Sequence, residues 1–133
     1  MTGRTRKSSD AVQAGRLNKA TEFHDAATLI EDHAPNAAVD LFVDAGIAAA
    51  DVICCSKLGE YSISENYSDA IALLAKAQPD VAKYLRALLN VKSKVACTHQ
   101  SVSSDDHKKA SRAASNLVEA ARRIAKPAAS EER

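Results

Sequence analysis

The sequence predicts an all-α fold: an antiparallel up-and-down helical bundle of four long helices plus one short helix. Three observations predict it. The 133 residues include only four Gly and three Pro, in a chain rich in Ala, Leu, Lys and Asp/Glu. Apolar residues recur at helical spacing in long segments. Those segments are bounded by Pro, Gly or a Ser/Asn/Asp capping residue. The length suits one domain with a real core, expected over residues 9–126. Residues 1–8 are expected to be a disordered basic tail carrying Arg4, Arg6 and Lys7, and 127–133 a mobile C-terminal tail.

The first helix is capped by Ser9 or Asp10 and runs to about His33, where Pro35 stops it. Val12, Ala20, Phe23, Ala27 and Ile30 form its apolar face, and His24 lies off that face's centre, exposed. The second helix, Asn36 to Leu58, is apolar almost all round, as the buried centre of a bundle is. Its acids do not spread: Asp40, Asp44 and Asp51 fall within about 40° of each other. Gly59 ends it, and GEYSISEN follows as a polar loop. A short third helix, Tyr67 to Ala77, turns Tyr67, Ile71 and Leu74 inward.

Gln78-Pro79 breaks that helix and Pro79 opens the fourth, which runs to Cys97. Val81, Tyr84, Leu85, Leu88, Leu89, Val91 and Val95 form its apolar face, while Lys83, Arg86, Asn90 and Lys94 form the solvated one. Ser103 or Ser104 caps the last helix, which ends before Pro127. Ala110, Ala113, Ala114, Leu117, Val118, Ala121 and Ile124 face inward from it.

Composition excludes several functions. A net charge of +1 argues against a strongly charged nucleic-acid or membrane surface overall, leaving only a local patch. Aromatic residues are 4% and Trp is absent, which disfavours base-stacking platforms. Cys54, Cys55 and Cys97 have no CxxC or zinc spacing and read as reduced core thiols of a cytoplasmic protein. No signal peptide and no membrane span is visible. No metal motif or phosphate loop occurs, so no cofactor and no metal is expected.

Two residues break the pattern. Lys92 is a cation on the apolar face of the fourth helix, and Asp51 an anion in the most apolar part of the second. Lysine is rarely buried unless paired. One reading pairs Lys92 with Asp51, the favoured partner among the three aspartates. The other lets Lys92 snorkel to the surface while the aspartates form a solvated edge. His99 lies seven residues beyond Lys92, so the sequence allows Lys92, Asp51 and His99 to converge near one end of the bundle, with His107, on the inward side of the last helix's first turn, as a further candidate.

AAVDLFVDAGIAAADVICC, ENYSDAIALLAKAQPDVAKYLRALLNVKSKVAC and SVSSDDHKKASRAASNLVEAARRIA together resemble small stand-alone bacterial HEPN-domain proteins, over roughly Ala37 to Ala125. The resemblance implies a helical bundle that commonly dimerises. In many members the dimer builds a metal-independent ribonuclease site from an Arg followed after four to six residues by a His. Here Lys92 holds the Arg position, His99 follows after six intervening residues, and Asp51 matches the family's acid on an earlier helix. Arg grips phosphate through a planar fork and Lys only as a point charge, so the expected role is a non-catalytic homodimeric interaction module that binds RNA, or a nucleotidyltransferase-type partner in a toxin–antitoxin pair. The alternative is a divergent endoribonuclease with His99 and Lys92 at a dimer interface.

Overall fold

The computed structural model describes residues 3–125. Five α-helices, a single 3-10 turn and a two-stranded sheet follow in order: β1 (Thr5–Lys7), α1 (Asp10–Ile30), α2 (Pro35–Leu58), β2 (Glu60–Ser62), α3 (Tyr67–Ala77), the turn Pro79–Val81, α4 (Ala82–Ala96) and α5 (Ser104–Ile124). The expected C-terminal tail 127–133 lies outside the described residues.

Local chemistry sets most boundaries. Ser9 caps α1 by accepting the Val12 amide at 3.2 Å. The helix ends at Ile30, earlier than the expected His33, because the amides of His33 and Ala34 both turn back onto the Ile30 carbonyl. Pro35 is the first residue of α2, where its missing N–H costs nothing. At the far end Gly59 takes φ +72° and donates to the Cys55 carbonyl at 3.0 Å, a left-handed cap that a Cβ would strain. Asn66 caps α3, and Ser103 caps α5 by accepting the Asp106 amide. Pro79–Val81 winds as a 3-10 turn before α4, where a continuous helix from Pro79 is the simpler expectation.

For the described residues 3–8, the sheet corrects the reading of residues 1–8 as a disordered tail, and it corrects the reading of GEYSISEN as a plain loop. β1 pairs antiparallel with β2 in the register Thr5↔Ser62, Arg6↔Tyr61, Lys7↔Glu60. The Gly59 cap turns the chain so that its carbonyl accepts the Ser8 amide at 2.9 Å, and the Ile63 amide reaches the Arg4 carbonyl. Tyr61, 7% exposed, anchors the strand pair against the bundle.

α2 is the centre, packed by α1, α3, α4 and α5. Phe42, Ile53, Leu73, Leu74, Leu85, Leu88 and Leu117 are its largest fully buried neighbours and members, each worth about 1.5–3 kcal/mol of burial. Gly46 is where the packing is closest: a Cβ there would collide with Leu88 Cδ1 of α4 and crowd Leu117 of α5. Tyr67, expected inward, is 40% exposed, and Leu73 takes its place in the core beside Leu74.

Contacts along α2 fix helix directions. The Ser101–Val102 segment bonds Asn36 at the start of α2, and Ser56 near its end donates to the Ile124 carbonyl at 2.9 Å, so α5 runs parallel to α2. The Lys94–Asp106 ion pair joins the end of α4 to the start of α5, so those two run antiparallel. Among the described residues, no helix is long and apolar enough to cross a membrane.

Candidate functional site

Asp51 is paired, but not with Lys92. Its Oδ2 lies 3.7 Å from Arg16 Nε of α1. Arg16 also stacks over the Tyr61 ring at 5.3 Å, which holds the guanidinium between α1, α2 and β2. Lys92 is half-buried and makes no ion pair among the described residues; its charge is felt instead by Asp44, one stripe position earlier on α2. Burial raises the Asp44 carboxyl above its ordinary value, Lys92 opposes the rise, and Asp40 adds to it. Of the two readings, the one that pairs Lys92 with Asp51 fails on register: α4 sets Lys92 beside the middle of α2, and α1 supplies the cation for Asp51.

His99 is remote from both acids. It sits exposed in the α4–α5 loop, whose Val102 amide bonds Asn36 Oδ1 at 2.8 Å. Asp51 lies about 22 Å further along α2 at the helical rise of about 1.5 Å per residue. Lys92, Asp51 and His99 do not converge within the chain. His107 packs with its ring centroid 6.2 Å from that of Phe42 and places Nε2 3.0 Å from Glu31 Oε1, without the alignment of a hydrogen bond. His24, expected exposed, is half-buried: its Nε2 lies 2.9 Å from Ser115 Oγ and its ring meets Phe42 edge-on. Cys54 and Cys55 are core thiols as expected, but Cys97 is exposed past the end of α4.

Beside Asp51 is a cavity of about 130 Å³ between α2, α3, α4 and the β2–α3 link. Ile47, Ala50, Leu85 and Leu89 make its apolar walls, and Ser62, Ser64 and Tyr67 bring hydroxyls. Ser64 is fixed there by donating to Asp69 Oδ2 at 2.7 Å and accepting the Asn66 amide. Burial lifts the Asp51 carboxyl to about 6, against the opposing pull of Arg16. Burial and the Asp51 charge push the neighbouring Cys54 thiol to about 12, so it is not a thiolate nucleophile.

A second concavity, an open groove of about 340 Å³, runs between α4 and α5. Asn90 and Lys94 line it from α4, Asp106 and Lys109 from α5. Lys83, Arg86, Asn90 and Lys94 share one exposed stripe of α4, a helix with no Asp or Glu. On α5, Lys109, Arg112, Asn116 and Arg123 form the matching stripe. Lys94 donates to Asp106 at 3.0 Å and holds that carboxyl below its ordinary value. Six of the chain's 18 Lys and Arg residues, Lys83, Arg86, Lys94, Lys109, Arg112 and Arg123, thus lie on these two neighbouring helices. No family model, curated protein or solved structure matches this chain.

Sequence reasoning missed Arg16, although the signal was present. Val12, Arg16, Ala20, Phe23, Ala27 and Ile30 lie on one stripe of α1, so Arg16 breaks an apolar face in the same way as Lys92. The basic stripes were legible too, as the solvated face of α4 and the polar face of α5. Their side-by-side placement depends on how α4 and α5 pack.

Proposed function

We propose that this chain is a HEPN-like helical interaction module that binds single-stranded RNA along the α4–α5 groove and acts as a homodimer. The observation that carries the reading is the pair of basic stripes on adjacent helices: Lys83, Arg86 and Lys94 on α4, and Lys109, Arg112 and Arg123 on α5, with Lys94 and Lys109 lining the groove between them. Such an array attracts a phosphate backbone by releasing its counterions. The face offers little for stacking: Tyr84 is covered by Lys83, whose ammonium lies 5.2 Å from the ring centroid. Binding is therefore expected to be tolerant of base sequence and sensitive to salt. Asp106 sits in the groove and Glu119 pairs with Arg123, so the affinity is expected to be moderate.

Catalysis does not belong to this reading. His99, Lys92 and Asp51 are held apart in the chain, and Lys92 carries a point charge where the resembled family carries an Arg fork. The homodimer in this reading rests on the resemblance to dimerising HEPN-domain proteins.

Fluorescence anisotropy of a labelled single-stranded RNA tests the binding claim. Wild type is expected to bind, and Lys94→Glu with Lys109→Glu to weaken binding more than about tenfold, since each reversal removes one phosphate contact and adds a repulsive charge. Lys19→Glu on the exposed side of α1 is the control and should leave binding unchanged. Absence of binding, or equal binding by the groove variant, would refute the reading.

A further inference from the structure

The cavity beside Asp51 has no part in RNA binding and has the chemistry of a site of its own. We infer that it is a recognition site for a small organic cation: a primary ammonium group on a compact apolar body. Four features of the geometry lead there.

The first is an under-partnered carboxylate. Asp51 has a side chain only 14% exposed, and Arg16 approaches it at 3.7 Å through Nε alone. Among the described residues, no hydrogen-bond donor reaches it. Most buried polar side-chain atoms have at least one hydrogen-bond partner. The carboxylate lines the cavity, so a donor placed there can reach it.

The second is the wall. Ile47, Ala50, Leu85 and Leu89 contribute hydrocarbon to it. Such hydrocarbon suits the apolar body of a ligand and not a second polar group. The third is size. The cavity is about 130 Å³, and an apolar cavity of about 150 Å³ accepts one benzene, so the ligand body is a single small ring or a short branched chain. The fourth is the set of hydroxyl residues, Ser62, Ser64 and Tyr67, that line the cavity and offer acceptors for the ammonium protons that Asp51 does not take. The sign of the ligand charge follows from Asp51: an anion of the same shape would meet the carboxylate directly.

The test uses the full chain, labelled with ¹⁵N and titrated at pH 7.5 with benzylamine, benzyl alcohol and benzoate. Benzylamine is expected to give saturable shifts clustered at Ile47, Asp51, Ser64 and Tyr67. Benzyl alcohol should bind at least about tenfold more weakly, the loss of one charge-assisted hydrogen bond, and benzoate not at all. Asp51→Asn should erase the preference for the amine over the alcohol. Ala70→Leu, which fills the cavity without touching Asp51, should abolish binding of both and decides the matter if Asp51→Asn does not fold. No saturable benzylamine binding, equal binding of benzoate, shifts clustered elsewhere, or undiminished binding in Ala70→Leu would each overturn the proposal. Because the α4–α5 groove does not enter this test, its failure would leave the RNA reading standing, and the reverse also holds.

Discussion

Arg16 Nε of α1 lies 3.7 Å from Asp51 Oδ2 of α2, and the same guanidinium covers the Tyr61 ring of β2 at 5.3 Å. One side chain thus ties the first helix, the central helix and the small sheet together. The pair is more than a surface contact, since Asp51 is largely removed from water. Breaking a buried pair by removing one partner leaves an uncompensated charge. Arg16→Met is accordingly expected to lower stability by about 1–3 kcal/mol at pH 7.5, measured by urea unfolding. Combining it with Asp51→Asn should recover most of that loss, because the stranded charge is then gone.

Asp51 also sets a pH dependence. Its carboxyl is raised from 3.8 to about 6 in the folded chain. The folded state therefore holds this proton more tightly than the unfolded state, and stability falls as pH rises between those values. The contribution is complete below pH 4 and lost above pH 6, and is of the order of 2 kcal/mol. Asp51→Asn removes the titration. It is expected to raise the Tm at pH 7.5 relative to wild type, and the advantage should fade as the pH is lowered from 6 to 4. A gap between the two proteins that stays constant with pH would contradict the assigned ionisation.

Two glycines in helices should respond to alanine in opposite ways. Gly15 has open space where its Cβ would stand, so Gly15→Ala gains helix propensity and is expected to stabilise by about 0.5–1 kcal/mol. At Gly46 the new methyl meets Leu88 Cδ1 and crowds Leu117, both fully buried, so any shift must be taken up inside the core. Overpacking of this kind typically costs about 1–3 kcal/mol, so Gly46→Ala is expected to be net destabilising by thermal unfolding.

The three cysteines should separate by reactivity. Cys97 is exposed, whereas Cys54 and Cys55 are buried with thiols raised by burial. Native protein treated with a thiol-reactive disulfide reagent at pH 8 is expected to release about one equivalent quickly. The other two should react only after denaturation. Rapid labelling of all three would mean that the C-terminal half of α2 opens in solution.

The helices were legible in the sequence because each carries its own periodicity and its own stop: Ser9 and Pro35, Gly59, Asn66 and Pro79, Ser103. The strand Thr5–Lys7 was not, since TRK has no alternation of apolar and polar residues and is held by backbone bonds to Glu60–Ser62. The site was half legible. Asp51 stood out by being charged in an apolar segment, and the structure sets it beside a cavity that periodicity alone does not reveal. Its partner was misassigned because pairing depends on the axial register between helices, which spacing within one helix does not contain. Lys92 and Arg16 break their faces equally, and only the packing of α1 against α2 decides between them. His99 was grouped with Asp51 for the same reason, although the Asn36–Val102 bond puts its loop at the other end of α2.

The salt dependence of RNA binding tests the central claim most directly. In a plot of log affinity against log salt, single-stranded RNA gives a slope of about −0.7 for each phosphate neutralised. Four or five contacts along the two stripes predict a wild-type slope near −3, and Lys94→Gln with Lys109→Gln should reduce its magnitude by about 1.4. A slope near zero, or one unchanged in the double variant, would contradict binding through the α4–α5 groove.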